Sequence, residues 1–218
     1  MFKRFLELLF PSKCVLCGKL LEKQETDLCK SCRVNGPECE KTSGKLRFLD
    51  SWTAVWYYDE KVRDSIHRYK FGNARFYAEC YGRLLAMKIS RQDTQFDLLT
   101  WVPISFMRRM KRGYDQSQLL AEAVGRELGM KPVRALKKIR NNRPQSGFVG
   151  EARRRANVLG VYRVADPDIV KNKRVLLLDD VITTGVTAGE CARVLLTAGA
   201  KEVHCGAIAA AGNHGNKK

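Results

Sequence analysis

The stretch RVLLLDDVITTGVT, residues 174–187, carries the strongest structural signal in this chain. Its four consecutive aliphatic residues at 175–178 are typical of a strand that is buried on both faces of a parallel sheet. Asp179 and Asp180 follow directly, at the carboxyl end of the predicted strand, where ligands bind in open α/β sheets. A turn of small hydroxyl residues around Gly185 then opens the next helix, and its backbone N–H groups favour an anion.

Two carboxylates beside such a turn indicate a sugar phosphate as the ligand. The acids can accept hydrogen bonds from ribose hydroxyls, directly or through Mg²⁺, while the loop holds a 5′-phosphate. The chain has neither the Gly-Lys-Ser/Thr of a Walker loop nor the G-x-G-x-x-G of a dinucleotide-binding fold. The alternative is a strand–helix turn capped by threonine beside two solvated acids. The buried aliphatic run before the acids argues against it.

The chain from residue 49 onward alternates predicted strands with predicted helices, which indicates an α/β fold with a parallel sheet and flanking helices. Strands are predicted at 52–58, 97–103, 132–139, 174–180 and 202–210, and helices at 60–71, 76–90, 115–128 and 187–198. Residues 140–157 are polar and rich in arginine, and we expect a long loop there with room for a helical turn. The predicted domain covers 49–212, and a disordered tail follows at 213–218.

A small separate module is predicted at residues 12–48. Its cysteines form two pairs separated by 11 residues, Cys14-x2-Cys17 and Cys29-x2-Cys32. Two such knuckles can supply four thiolates to one tetrahedral zinc ion, and a site closed in this way folds its module rather than catalysing. The alternative is four free or disulfide-linked thiols. Cys39 is followed three residues on by Thr42, not by another cysteine, and is predicted to lie outside the site.

Composition limits the class of protein. The 218 residues include 40 lysines and arginines against 23 acids, for a formal charge of +17, and 44% are hydrophobic. This apolar content excludes a disordered polyelectrolyte. The eight cysteines do not follow the pattern of a secreted disulfide framework, and we expect a soluble cytoplasmic protein. Residues 1–11 are predicted to form a helix that docks on the protein or makes a weak peripheral contact with the inner face of the membrane.

The positive charge is concentrated between Val102 and Val164, where 15 basic residues stand against four acids. Such residues can clamp pyrophosphate or follow a nucleic-acid backbone. The candidates for this role are Lys70, Arg108, Arg109, Arg112, Arg143 and Arg154. Aromatic residues between 52 and 76 are available for base stacking where they are exposed. No general base is evident, because the patterns around His67 and His204 favour structural positions.

The loop at 179–187 resembles the phosphoribosyl pyrophosphate (PRPP) loop of type I phosphoribosyltransferases. The chain as a whole is similar to the ComF family, the competence-associated proteins with a phosphoribosyltransferase-like domain. The residues that carry this second resemblance are the cysteine module, YKFGN (69–73), VPISFMRRMKRGYDQSQLLA (102–121) and RPQSGFVGEARRRANVLGVYRV (143–164). Relatives often carry a second cysteine pair, of which only Cys39 is present here, so we expect one zinc site.

The resemblance implies a type I phosphoribosyltransferase-like fold and particular roles for the loop. Asp179 and Asp180 would be the catalytic residues, in contact with the ribose diol or its magnesium ion. The implied PRPP-binding residues are Asp179, Asp180, Val181, Thr183, Thr184, Gly185, Val186, Thr187, Ile104 and Ser105.

Several functions are compatible with these features. The first is a role in DNA uptake during natural competence, with PRPP and Mg²⁺ at the loop, single-stranded DNA on the basic face, and DNA-translocation proteins as partners. The second is the transfer of phosphoribose from PRPP to a base or amine, with release of pyrophosphate. The third is a regulator that binds PRPP without chemistry.

Overall fold

The computed structural model describes residues 12–39, 46–142 and 150–212, so the predicted helix at 1–11 and tail at 213–218 lie outside the described residues. The helices are α1 (Lys30–Asn35), α2 (Glu60–Phe71), α3 (Tyr77–Ser90), α4 (Phe106–Arg112), α5 (Gln116–Leu128), α6 (Glu151–Val158), α7 (Pro167–Val170) and α8 (Val186–Thr197). The strands are β1 (Ser51–Tyr57), β2 (Leu98–Trp101), β3 (Leu136–Lys138), β4 (Tyr162–Val164), β5 (Arg174–Ile182) and β6 (Glu202–Ala210). Within these ranges, no helix has the length and apolar character needed to cross a membrane.

The main sheet has four strands in the order β1-β6-β5-β2, and all neighbouring strands are parallel. β5 lies between β6 and β2, which explains its continuous aliphatic run. Because successive side chains of a strand point to opposite faces, this run contributes to two cores. Leu176 and Leu178 pack with α2, α3 and α5 on one face, and Val175 and Leu177 pack with α8 on the other. The predicted parallel sheet with flanking helices is confirmed.

The cysteine module packs against the first of these cores. Val15 and Leu16 are buried in the same cluster as Tyr69 and Tyr81. The Ser65 hydroxyl of α2 donates a hydrogen bond to the carbonyl of Val15. The module is therefore anchored on α2 and α3 of the α/β domain.

Some local predictions were wrong. The predicted strand at 132–139 is only the three residues of β3, which pairs antiparallel with β4 in a hairpin outside the main sheet. The loop predicted at 140–157 left room for one helical turn, whereas the structure has the eight-residue helix α6 there, which extends to Val158. α6 has Val158 as its buried residue among mostly exposed polar ones, so it shows no apolar periodicity. The short elements α1, α4, α7 and β4 were not predicted.

Candidate functional site

The carboxyl end of β5 carries two acidic side chains in different surroundings. Asp179 Oδ1 accepts hydrogen bonds from the Ser117 hydroxyl, 3.3 Å away, and from the backbone N–H of Asp180, 2.8 Å away. Burial and the neighbouring charge of Asp180 raise the pKa of Asp179 above its ordinary value. Asp180 instead forms an ion pair, with its Oδ2 2.7 Å from Lys70 Nζ.

The loop after β5 depends on a glycine. Gly185 adopts φ +70°, a left-handed conformation that side chains disfavour, and α8 begins at the next residue. A Cβ at this position would lie 2.6 Å from Leu46 Cδ2, so Leu46 also covers the loop closely. The backbone conformation therefore favours glycine here, and a Cβ would also force the Leu46 side chain to shift.

The turn after β2 forms the wall facing this loop. The buried carboxylate of Asp115 accepts a hydrogen bond from the backbone N–H of Ile104 at 3.1 Å and caps α5 through Ser117 and Gln118. The Ser105 hydroxyl accepts a hydrogen bond from the N–H of Arg108 and so caps α4. Asp115 therefore fixes the position of this turn relative to α5.

These segments enclose a cavity of about 630 Å³ at the carboxyl end of β5, called the β5 cavity below. Asp179 and Asp180 lie on one wall, and the side chains of Arg108, Lys111 and Arg112 line it from α4. Arg108 also donates to the carbonyl of Asn142 at 3.0 Å, which ties α4 to the segment after β3. The cavity is open, and it offers carboxylates that can accept hydrogen bonds from hydroxyl groups together with several cations. It therefore suits a ligand that has both hydroxyl groups and negative charges.

The four cysteines of the two knuckles form a second site. Their sulfurs all lie within 4.8 Å of one another, and three of the four side chains are buried. The sulfurs of Cys17 and Cys29 are 3.7 Å apart, close to the edge of about 3.8 Å that a tetrahedron with 2.3 Å zinc–sulfur bonds requires. None of the four forms a disulfide, and Cys39 does not belong to the cluster found among the described residues. The cluster can therefore hold a metal ion such as zinc.

Comparison with known proteins agrees with this geometry. Residues 99–218 match the phosphoribosyl transferase domain family. The chain belongs to this family. The match begins in β2 and includes the basic region at 102–164 and the Asp179–Thr187 loop, so the cavity wall formed by β5 and this loop lies in the phosphoribosyl transferase domain.

Relatives are also found over almost the full length of the chain. Competence protein F of Haemophilus influenzae is 27% identical, and the alignment covers 93% of this chain and 98% of the relative. The DNA utilization protein YhgH of Escherichia coli is 28% identical over 87% of this chain and 86% of its own length. Glutamine PRPP amidotransferase from B. subtilis aligns structurally with a TM-score of 0.45 and 23% identity, over 65% of this chain and 30% of that one. The resemblance to the ComF family is confirmed.

The β5 cavity brings together most of the site residues predicted from the sequence, one of which, Lys70, comes from α2 and lies outside the matched domain. Those that line the β5 cavity are Lys70, Ile104, Arg108, Arg112, Asp179, Asp180, Val181, Thr183 and Thr187. Thr184, Gly185 and Val186 lie on the other side of the loop, where they line a neighbouring cavity of about 520 Å³. Ser105, Arg109 and Arg154 line neither wall of the β5 cavity, and Arg143 lies outside the described residues.

Other residues of the cavity were not predicted. Ser117 reaches Asp179 from α5, and Lys138 and Tyr162 approach from the β3–β4 hairpin. The Lys138 ammonium lies 5.3 Å from the centre of the Tyr162 ring, and burial together with the charge of Arg108 lowers the pKa of Lys138 to about 8. Only the antiparallel pairing of Lys138 with Tyr162 reveals this contact, since 24 residues separate them.

The surface beside the cavity carries both basic side chains and exposed apolar side chains. All residues of α4 are at least partly exposed, including Phe106, Met107 and Met110, which are 72%, 63% and 66% exposed. Phe71 at the end of α2 is also exposed, and the Arg112 guanidinium lies 4.8 Å from the centre of its ring. We call α4 with Phe71 the α4 surface.

Proposed function

We propose that the protein acts in competence or DNA utilisation and that it binds PRPP in the β5 cavity. The observation that carries the proposal is the meeting of Asp179 and Asp180 with the cations of α4 across one cavity. PRPP has a ribose diol that can donate to carboxylates and phosphate groups that suit the loop and the arginines. The names of the full-length relatives support the biological role.

The elements around the cavity have complementary tasks in this proposal. Asp179 and Asp180 accept hydrogen bonds from the ribose hydroxyls. The loop at 183–187 binds the 5′-phosphate through its N–H and hydroxyl groups. Arg108, Lys111 and Arg112 attract the pyrophosphate group.

The fit of a magnesium ion can be judged from the carboxylates. Carboxylate oxygens are donors that Mg²⁺ accepts. However, Asp180 Oδ2 is already paired with Lys70 at 2.7 Å, and Asp179 Oδ1 already accepts two hydrogen bonds. With one oxygen of each carboxylate already engaged, the two acids suit the hydroxyl donors of a ligand better than a magnesium ion that both would hold directly. We still predict that Mg²⁺ accompanies PRPP, and we expect it to bind at the pyrophosphate group of the ligand.

Titration calorimetry with PRPP tests the proposed ligand. We expect the wild-type protein to bind PRPP and Asp180→Asn to lose at least about tenfold in affinity, because a charged acceptor for a ribose hydroxyl is removed. Asp93→Asn, which changes an exposed acid away from the cavity, is the matched control and should bind normally. Absence of binding to the wild-type protein would refute the proposal.

We also propose that the metal of the cysteine cluster is zinc and that it is structural. The four sulfurs would complete a tetrahedral coordination shell and leave no position for a substrate. Metal analysis of the purified protein should give one zinc ion per chain. A protein that contains no zinc and is stably folded would contradict this assignment.

Single-stranded DNA is the proposed partner of the α4 surface. Cations that follow a phosphate backbone, together with exposed aromatic rings, are the two features of sequence-independent single-strand binding. We expect a labelled oligothymidine to bind with an affinity that falls steeply with salt. Phe106→Ala should weaken it about tenfold, and Met87→Ala, an exposed apolar residue on α3, should not. Equal affinities for both variants would exclude the α4 surface.

Phosphoribosyl transfer is the alternative function, and the cations opposite the carboxylates favour it. In this reaction the bond between C1 of PRPP and pyrophosphate breaks, and the bonding electrons leave with the pyrophosphate. The acceptor nitrogen forms the new bond to C1 and releases its proton to solvent water. Arg108 and Arg112 would stabilise the departing charge. Pyrophosphate release from PRPP with nucleobases or amines, abolished by Asp180→Asn, tests this function, and absence of such release across the acceptors would refute it.

A further inference from the structure

Lys70 forms an ion pair with Asp180 in the β5 cavity that its position in the sequence does not predict. It lies on the last turn of α2, 110 positions before Asp180, yet its ammonium is 2.7 Å from that carboxylate. The two side chains are only 21% and 14% exposed. A pair this enclosed differs from an exposed surface ion pair, because removal of either partner leaves a charge that water compensates poorly.

The residues on both sides of Lys70 hold it in place. The Tyr69 hydroxyl donates to the carbonyl of Gln116 at 2.7 Å, and the Tyr114 hydroxyl donates to the carbonyl of Tyr69. On the other side, the Phe71 ring lies beneath the guanidinium of Arg112. These contacts tie the end of α2 to the start of α5 and to α4. The framework of the cavity thus fixes the backbone from which the Lys70 side chain extends to Asp180.

The ammonium contacts the Oδ2 oxygen of Asp180 and supplies the positive charge that a divalent cation would otherwise bring to this carboxylate. A magnesium ion on that oxygen would have to displace Lys70 and form several oxygen contacts at about 2.1 Å. The pair Asp180–Lys70 is already neutral in total, so the electrostatic demand for a second cation is small. The remaining acceptor capacity of the two acids is available for neutral donors such as hydroxyl groups.

We propose that Lys70 is a built-in counter-cation for Asp180, so that the cavity binds the ribose 5-phosphate part of its ligand without a divalent cation at the carboxylates. The proposal rests on the proposed function, since it concerns the same ligand. Under it, Mg²⁺ matters only for the pyrophosphate group. Ribose 5-phosphate, which lacks that group, separates the two roles.

The experiment is a calorimetric titration of ribose 5-phosphate and of PRPP, each with EDTA and with Mg²⁺. We expect the affinity of the wild-type protein for ribose 5-phosphate to differ by less than about threefold between the two conditions. Lys70→Met should lose at least about tenfold in EDTA and regain most of it in Mg²⁺, because the divalent ion can now occupy the vacated position. Lys61→Met removes the same charge from an exposed site on the same helix and serves as the control.

A second measurement keeps the test independent of ligand binding and of the stability of one variant. Mn²⁺, followed by electron paramagnetic resonance, should not bind at Asp180 in the wild-type protein or in Lys70→Arg. It should bind to Lys70→Met, and this site should disappear in the double variant with Asp180→Asn. An Asp180-dependent Mn²⁺ site in the wild-type protein would overturn the proposal.

The possible failures are distinguishable. If the wild-type protein binds PRPP and requires Mg²⁺ for ribose 5-phosphate as well, or if Lys70→Met binds ribose 5-phosphate normally in EDTA, the role of Lys70 is refuted and the proposed function stands. If the wild-type protein binds neither compound under either condition, both are refuted.

Discussion

The cysteine cluster and the β5 cavity differ in how the negative charge of their side chains is neutralised. Each assembles groups that carry or can carry negative charge, four thiols in one case and two carboxylates in the other. The thiols come from residues 14–32 and enclose a small, closed volume, whereas the carboxylates face an open cavity and have Lys70 as a neighbour. The four thiols have no cation of the chain among them and are neutral only when protonated or bound to a metal ion, whereas Lys70 neutralises Asp180 from within the chain. This difference is the basis on which we propose a structural role for the first site and ligand binding for the second.

Loss of metal from the cysteine cluster should have the largest effect. Structural zinc contributes roughly 10–16 kcal/mol of apparent binding free energy in small domains, so Cys29→Ser should remove the zinc and unfold the module. We expect the melting temperature to fall by roughly 10 °C or more. Cys39→Ser, a buried cysteine outside the cluster, is the control and should retain the metal. Full zinc content in Cys29→Ser would show that the cluster is not the binding site.

Gly185→Ala should have the next largest effect, because it strains the loop and also collides with Leu46. Gly129 has a similar φ of +67° with open space around it, so Gly129→Ala measures the strain alone. We expect losses of about 3 and about 1 kcal/mol in urea unfolding. Leu46→Ala should recover part of the loss in the Gly185→Ala background. Equal losses at the two glycines would mean that the contact with Leu46 contributes nothing.

Asp179→Asn should stabilise the protein while it weakens ligand binding. The folded protein raises the pKa of this carboxyl, so the folded chain binds the proton more tightly than the unfolded chain does. Ionisation of Asp179 therefore lowers the stability of the folded protein, and it does so increasingly as the pH rises above about 3.9, the pKa of an aspartate in the unfolded chain. Asparagine keeps the acceptor oxygen and does not ionise. We therefore expect the melting temperature to rise by about 2–4 °C near pH 8 and by less near pH 5. A gain that shrinks with rising pH would contradict this sign.

The smallest expected effect concerns the ion pair between the cysteine module and α3. Asp27 of the cysteine module accepts a hydrogen bond from Arg83 Nε of α3 at 2.9 Å, and the side chains are 11% and 38% exposed. A double-mutant cycle should give a coupling of about 1 kcal/mol, against less than about 0.5 kcal/mol for the exposed pair Glu79–Arg126. A coupling no larger than that of the exposed pair would show that this contact does not link the module to the domain.

Features with a short sequence range were predictable. The bounds of α2 agree with the predicted 60–71, and α5 ends at Leu128 before Gly129, as predicted. Each signal is local: an apolar periodicity, a capping side chain or a glycine. The assembly of the four cysteines was predictable for the same reason, since two knuckles separated by 11 residues can reach one ion.

Features that depend on long-range contacts were less accessible. The basic residues were recognised as a group, but no pattern distinguishes Lys70 from the others as the partner of Asp180. Lys138 was overlooked because its importance comes from a hairpin that brings Tyr162 beside it. Only a helical turn was expected in the region of α6, because an arginine-rich helix on the surface has little apolar periodicity.

The buried strand β5, the acids at its end, the glycine turn into α8 and the four-cysteine cluster can all be recognised in the order of residues. These features depend on residue type and on spacing over a few residues. The folded chain is needed to see which cation neutralises Asp180, which surface of α4 remains exposed, and how Leu46 covers Gly185. Electrostatic pairing and close packing depend on distances of a few ångströms between segments far apart in the chain. The order of residues alone does not specify those distances.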